Sequence, residues 1–476
     1  MRRKTTLSSI LIFALLFTIV QPHTIQAKAE RTLEDESIYD LLVDRFNNGN
    51  FENDIDVDPR VEEDFSGGDF LGITEKVAYI KDLGFTIASI GPVFESETYD
   101  GNQALSYDAF EPRFGTEKEF IQMIDVLKEN GIGVMADFPL NGISPQHTGI
   151  TESTLPTVAA EGGNIQWDTN DQAVQQYIKE KLTNFVSKYD LIGIRLTKLG
   201  EFDQSFVNEL IEAVKEEKPA LYVMTNEASE ANFDLAMNAD LMKALVDAYA
   251  VIDAETSQLQ MFEHMDGKQL VQFDDLTGKR FTQDMIDARM YPPTRWKTAA
   301  TALLTLPGVP LLPYESEIAV VGNEAPETHP ITNFKTDTEL YDYMKNVNQL
   351  RNESETLRNG KMEILHNEDG HLVFTRTSDE ETWVVSINNT SETKGVEIDE
   401  SIIGEKKRLR GILTGDSALQ AKDGKYRVVL ERELAEVYLV EDDKGFNTAY
   451  LIATILIYTS FLGLMFVLIR RSKKKK

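Results

Sequence analysis

The sequence contains no cysteine. No disulfide supports the fold, and neither thiol catalysis nor zinc–thiolate ligation is open to it. Basic residues are scarce, with 48 Lys and Arg against 79 Asp and Glu. Ten of the 48 sit at the two ends (Arg2, Arg3, Lys4, Lys28, Arg470, Arg471 and Lys473 to Lys476). The chain between them therefore sets 38 basic against 79 acidic residues, a formal charge of −41. Such a surface repels nucleic acid and anionic polymers, and leaves cations and neutral molecules as partners. Internal repeats are missing, as are low-complexity tracts apart from the terminal lysines. The acidity is not a signature of disorder, because the hydrophobic content of 42% is ordinary.

Long apolar runs occur only at the ends. After Arg2, Arg3 and Lys4, an apolar run extends from about Ile10 to Val20, and Ala27-Lys28-Ala29 follows. This order of charge, short apolar run and small-residue site reads as a secretory signal peptide over residues 1–29, cleaved after Ala29. The run is short for a membrane span. The other end carries an uncharged stretch, Ala449 to Ile469, followed at once by the basic tail 470–476. At about 1.5 Å per residue, that stretch matches a hydrocarbon core of about 30 Å. A basic tail stays on the cytoplasmic side. The expectation is a single-pass, type I protein of the cell membrane, with its globular part outside.

Between the ends lie about 415 residues, enough for one large barrel and a small second domain. Short apolar runs rich in β-formers occur at Ile38 to Val43, Thr86 to Ile90, Gly133 to Asp137, Ile192 to Leu196, Leu221 to Thr225, Phe233 to Met237, Gln269 to Phe273 and Pro310 to Pro313. Amphipathic patterns separate most of them: Thr74 to Leu83, Glu117 to Asn130, Gln172 to Tyr189, Gln204 to Glu217 and Ala239 to His264. Eight β runs with helices between them predict a parallel (β/α)8 barrel over residues 30–358, with a doubly wound sheet as the alternative. The Gly-, Pro- and Thr-rich segment 141–170 predicts a long loop after the third strand. From 359 to 443 apolar and polar residues alternate, with turn signals at Asp369-Gly370 and Asp423-Gly424. That pattern predicts a small antiparallel β-sandwich domain. The spacer Gly445 to Thr448 is too short for a flexible stalk, so this domain is expected near the bilayer.

In such a barrel, chemistry sits at the C-terminal ends of the strands. Those ends bring Asp137, Arg195, Glu227 and Asp275 to one mouth, a glycosidase-like set of carboxylates with an arginine. Several segments then carry a resemblance. They are Ser37-Ile38-Tyr39 with Asp44-Arg45-Phe46; Gly67-Gly68-Asp69-Phe70-Leu71-Gly72-Ile73; Tyr107 through Thr116; and Leu306-Pro307-Gly308-Val309-Pro310 through Glu317-Ile318. In this order they resemble the α-amylase family of glycoside hydrolases, from about Glu36 to the end of the β domain.

That resemblance implies a retaining mechanism, with a strand-four aspartate as nucleophile, a strand-five glutamate as acid/base and a strand-seven aspartate gripping hydroxyls. The last two roles fall on Glu227 and Asp275, and the arginine of strand four falls on Arg195. The nucleophile position is Thr197, whose hydroxyl is not ionised near neutral pH. Sugar-binding positions fall on Asn102, Gly142 and Asp274, and the end of the strand-four motif reads Gly200-Glu201. Two readings follow. One is a pseudoenzyme that recognises α-glucans or related glycans without hydrolysing them. The other is a divergent glycosidase that uses another carboxylate, such as Asp274. A non-catalytic interaction or scaffold module at the cell surface is the competing class. The resemblance also implies a calcium site on Asn48, Asn50, Asn53, Asp54, the Gly67 carbonyl and Asp69, since oxygen donors at this density suit a hard cation. A second family calcium position keeps Asn141 but has Glu201 where the family has histidine.

Overall fold

The computed structural model describes residues 31–160, 164–265, 267–415, 418–443, 445 and 448–473, without the side chains of 448–450 and 473. The expected signal segment 1–29 lies outside them. The chain divides into two units, 1–32 and 33–476, and everything below concerns the second.

Eight parallel strands form the first architecture: β1 (Ile38–Leu41), β2 (Ile87–Pro92), β3 (Gly133–Pro139), β4 (Gly193–Thr197), β5 (Tyr222–Thr225), β6 (Leu235–Ala236), β7 (Leu270–Val271) and β8 (Val309–Pro313). They pair in the order β6-β5-β4-β3-β2-β1-β8-β7, so β1 closes onto β8 and the two shortest strands end the order. This is the expected (β/α)8 barrel rather than a doubly wound sheet. Helices follow the strands because the sequence starts them well. Thr116 and Glu119 make a reciprocal capping box for Glu117–Glu129, while Asp171 and Asp203 cap Gln172–Lys188 and Gln204–Glu217.

Two helical expectations need correction. The first begins earlier, as Phe70–Glu75 running into Val77–Leu83, because Asp69 caps it. The run Ala239 to His264 breaks into Ala239–Tyr249 and a 3-10 segment, Ser257–His264. The reason is tertiary. Asn389 of the β domain donates to the carbonyls of Ala248 (2.6 Å), in the helix's last turn, and Val251 (2.9 Å), just past its cap. Asp253 then turns the chain in a left-handed conformation, with φ of 61°.

Side chains alternate across each strand. Ile38, Ile87, Met135, Met224, Leu235, Leu270, Val309 and Leu311 form an apolar plug inside the barrel. One pleat further along, the inward positions turn polar. Asp137 pairs in register with Arg195, and Asp40 lies on β1 two residues beyond Ile38. The period of two that fills the core therefore also aims the first functional residues.

Beyond the barrel, a six-stranded antiparallel sheet and a two-stranded one enclose a second small core of Val373, Val384, Ile398, Leu409, Tyr426, Val428 and Tyr438. The buried guanidinium of Arg376 seals this domain to the barrel by donating to the carbonyls of Thr305 (2.6 Å), Arg358 (2.9 Å) and Gly360 (3.0 Å). The final helix, Thr448–Lys473, holds one apolar stretch, Leu451–Ser472, of 22 residues with mean hydropathy 2.4 and none of it buried. It is long and apolar enough to cross a membrane.

Candidate active site

A cavity of about 570 Å³ opens at the C-terminal ends of the strands. A larger hollow of about 620 Å³ lies at the other end of β3 and β4, around Ile132, Val134 and Ile192. Only the first gathers inward-facing polar groups from several strands, so chemistry belongs there.

Its floor is an ion cluster. Arg195 donates from Nε to Asp137 Oδ1 (2.7 Å), from Nη2 to Asp137 Oδ2 (2.8 Å) and from Nη1 to Asp40 Oδ2 (2.8 Å). All three residues are almost wholly buried. One cation thus holds two carboxylates, and Asp40 Oδ1 has no partner among the described residues. Burial pushes the Asp137 carboxyl up to about 6, against the pull of Arg195. The bidentate pair keeps it ionised near neutral pH.

Above the floor stand Thr197 and Glu227. Thr197 is the last residue of β4, 7% exposed, and lines the cavity. Two residues beyond Arg195, it inherits the same inward direction. Its carbonyl accepts from the Leu140 amide (2.8 Å), tying β4 to β3. Glu227, half-buried, accepts at Oε1 from the backbone N–H of Leu199 (3.0 Å), so the turn after β4 orients it.

That turn has an uncommon shape. Lys198 takes φ of 53° and Gly200 φ of 57°. A Cβ on Gly142 would meet Lys198 Cδ at 2.8 Å and the Asn102 carbonyl at 2.9 Å, so no side chain fits there. Instead the lysine stem crosses that glycine and enters the cavity wall. Burial lowers the Lys198 pKa, while Asp100 and Glu227 oppose the shift. Exposed Asn102 lines the cavity beside Asp100, which accepts its amide N–H at 3.0 Å.

The strand-seven residues go elsewhere. Asp274 is buried, accepting from Arg280 Nε (3.1 Å) and the Phe281 amide (2.7 Å), and Arg280 continues to the carbonyls of Tyr314 and Thr328. Asp275 folds onto its own turn, accepting from the Thr277 amide and hydroxyl at 2.7 Å each. Among the described residues that line the cavity, neither appears; Leu276 and Thr277 take that part of the wall. Of the four residues expected at one mouth, Asp137, Arg195 and Glu227 meet there, and Asp275 does not. The same geometry keeps Asp274 from a sugar or an anomeric carbon. Sequence reasoning missed Asp40, Asp100, Lys198 and His329 in the wall. Asp40 was signalled by its spacing from Ile38. His329, held by Tyr99 (2.9 Å) and the Leu276 carbonyl (2.6 Å), lies in a long loop with no periodic signal.

The cation loop divides into two sets. Asn48 Nδ2 donates to both Asp54 oxygens (2.9 and 3.0 Å), and a Cβ on Gly67, whose φ is 91°, would sit 2.6 Å from Asn48 Nδ2 and 2.8 Å from Asp54 Oδ1. Asn48 Oδ1 and Asn53 Oδ1 are buried without a partner among the described residues. Orphaned amide oxygens beside a carboxylate fit a hard cation such as calcium. Asp69 has a different task, because its carboxylate accepts from the amides of Gly72 (2.5 Å), Asn50 (2.7 Å) and Gly49 (3.1 Å). Asn50 likewise caps Glu52 (3.1 Å). Asn141, at the other expected position, spends its Oδ1 on the Trp167 amide (3.1 Å), and Glu201 is exposed.

Two family models match the chain: the catalytic domain of α-amylase over residues 40–161 and the α-amylase C-terminal domain over residues 360–438. A cyclomaltodextrinase of Thermoanaerobacter pseudethanolicus is 25% identical over 77% of this chain and 72% of its own. A maltogenic α-amylase of Bacillus acidopullulyticus is also 25% identical, over 77% and 71%. The crystal structure of an Anoxybacillus α-amylase superposes with a TM-score of 0.82 at 29% identity, covering 88% of this chain and all of that one. The α-amylase of Geobacillus thermoleovorans in complex with acarbose gives 0.80 at 29% identity, over 87% and 100%. Segments 40–161 and 360–438 are thus similar to the α-amylase catalytic and C-terminal domains, and the fold is that of the α-amylases in these two crystal structures.

Proposed function

We propose, for an α-amylase-type barrel joined to that family's C-terminal β domain, that the mouth around Glu227 recognises α-glucans but does not hydrolyse them by the retaining route. Relatives named as cyclomaltodextrinase and maltogenic α-amylase support the substrate class. The observation that carries the second half is Thr197. It ends β4 in the wall shared with Glu227, where the family resemblance puts the attacking carboxylate. The other deep carboxylates, Asp40 and Asp137, are both committed to Arg195. A retaining glycosidase needs a free carboxylate to form its glycosyl intermediate. In another hydrolase class, loss of the nucleophile costs about a million-fold, roughly 8 kcal/mol of barrier.

The apolar helix Leu451–Ser472 supports anchoring in a membrane, with the basic residues beyond it on the cytoplasmic side and the barrel outside. Calcium is the cation proposed for Asn48, Asn53, Asp54 and the Gly67 carbonyl.

The test uses the full chain in detergent. Calorimetry with maltooligosaccharides should show binding, and soluble starch and a chromogenic maltoside should remain uncleaved. Thr197→Asp alone should fall well short of ordinary amylase turnover, because Asp275 is turned away from the cavity and transition-state contacts are missing. Ordinary turnover by the wild type would overturn this reading.

A further inference from the structure

The retaining route places a carboxylate beside the β face of the anomeric carbon. A threonine there lacks the carboxyl arm and leaves that space to the substrate. Thr197 brings a hydroxyl to this wall, and the left-handed turn at Lys198 brings a cationic side chain to the same cavity. Lys198, Glu227 and Asp100 line this one cavity, and Asp100 is engaged with Asn102. The wall that would hold an attacking anion in a retaining enzyme therefore presents hydrogen-bond donors. Donors stabilise an anion that departs.

We infer that the mouth supports single-displacement transfer of an α-glucosyl unit from a donor bearing a small anionic leaving group on its β face. This rests on the α-glucan reading of the same cavity. Glu227 supplies the base. An acceptor hydroxyl attacks C1 from the α face and its oxygen forms the new bond. The bond from C1 to the leaving group breaks and its electron pair departs with the anion, towards Thr197 Oγ1 and Lys198 Nζ. The acceptor's proton passes to Glu227 and then to water. Nothing is oxidised or reduced, and the product is α-linked.

The probe is β-maltosyl fluoride with 4-nitrophenyl α-glucoside as acceptor, offered to the full chain in detergent. Fluoride release should exceed the buffer rate at least tenfold, require the acceptor and yield an α-linked product by NMR. Alpha-maltosyl fluoride should react no faster than in buffer. Glu227→Gln should abolish transfer, Thr197→Ser should keep it, and Lys198→Met should lower kcat at least tenfold with the acceptor KM within twofold. If β-maltosyl fluoride reacts only at the buffer rate while maltooligosaccharides still bind, the inference falls and the α-glucan reading stands. If maltooligosaccharides do not bind, the underlying reading falls first. Equal loss of kcat and of thermal stability in Lys198→Met, with full transfer by Thr197→Val, would also overturn the assignment.

Discussion

The two sides of the barrel mouth are built on different terms. On the β3–β5 side, strands of seven, five and four residues run up to the functional positions. Their pleat aims Asp137, Arg195 and Thr197 inward before any loop begins. On the β7 side the strand is two residues long, Leu270–Val271. Beyond it, hydrogen bonds of the turn decide where side chains point. Asp274 goes to Arg280 and Asp275 to Thr277. The same type of reading, an acidic residue just past a strand, succeeds on one side and fails on the other. Regular backbone carries Asp137 and Arg195 to the mouth, and the Leu199 amide orients Glu227 two residues past β5, whereas Asp274 and Asp275 are drawn to groups of their own turn.

This also marks how much was legible. The eight strands could be read from apolar runs, because a parallel barrel buries them on both faces. Arg195 and Glu227 followed from their places at strand ends. The split of Ala239 to His264 could not be read locally, since Asn389 that causes it lies far along the chain. Lys198 was passed over because neighbours on a strand point to opposite faces, and only its positive φ turns it back. In the cation loop, Asp69 resembles a ligand by composition, but its carboxylate is taken by helix and loop amides.

The contrast can be broken most sharply at the floor. Arg195→Met leaves Asp40 and Asp137 buried with no cation between them. Removing one partner of a buried pair costs about 3–5 kcal/mol, and here two carboxylates lose theirs, so about 5 kcal/mol is expected in urea unfolding. A loss below about 1.5 kcal/mol would mean that the floor is not held by charge.

On the other side, Asp274→Ala leaves Arg280 with carbonyl acceptors at Tyr314 and Thr328 and the Ser316 hydroxyl. The expected loss is about 3 kcal/mol, at the lower end for a buried pair. Maltooligosaccharide affinity should stay within twofold, because the residue does not reach the cavity. A tenfold weakening would return Asp274 to the site.

The cation loop separates a residue that binds metal from one that binds backbone. A ligand that binds only the folded state stabilises it by about 2.7 kcal/mol at a hundredfold excess over Kd. Chelation should lower Tm in the wild type, and Asp54→Ala should remove that response. Asp69→Ala should lose about 1 kcal/mol as a missing helix cap, with and without chelator, and keep the response. A response that vanishes in Asp69→Ala alone would reverse this division.

The smallest effect belongs to Asp275. Its carboxylate is half-exposed and, among the described residues, bonds within its own turn, to the amide and hydroxyl of Thr277. Substitutions at such positions move stability by about 0.5 kcal/mol or less. In a working retaining site the same residue would grip sugar hydroxyls, and its loss would weaken binding severely. The turn from Asp274 to Lys279 opposes that role. Arg280 and Phe281 fix its far end on Asp274, and Leu276 fills the wall space beside it. Asp275→Asn should therefore leave the calorimetric Kd for maltooligosaccharides within twofold, while Glu227→Gln, in the wall itself, should shift it severalfold. A tenfold loss in Asp275→Asn would require the turn to rearrange around the ligand. The β7 side would then be a segment that sugar binding organises, and its distance from the cavity would be a property of the free protein alone.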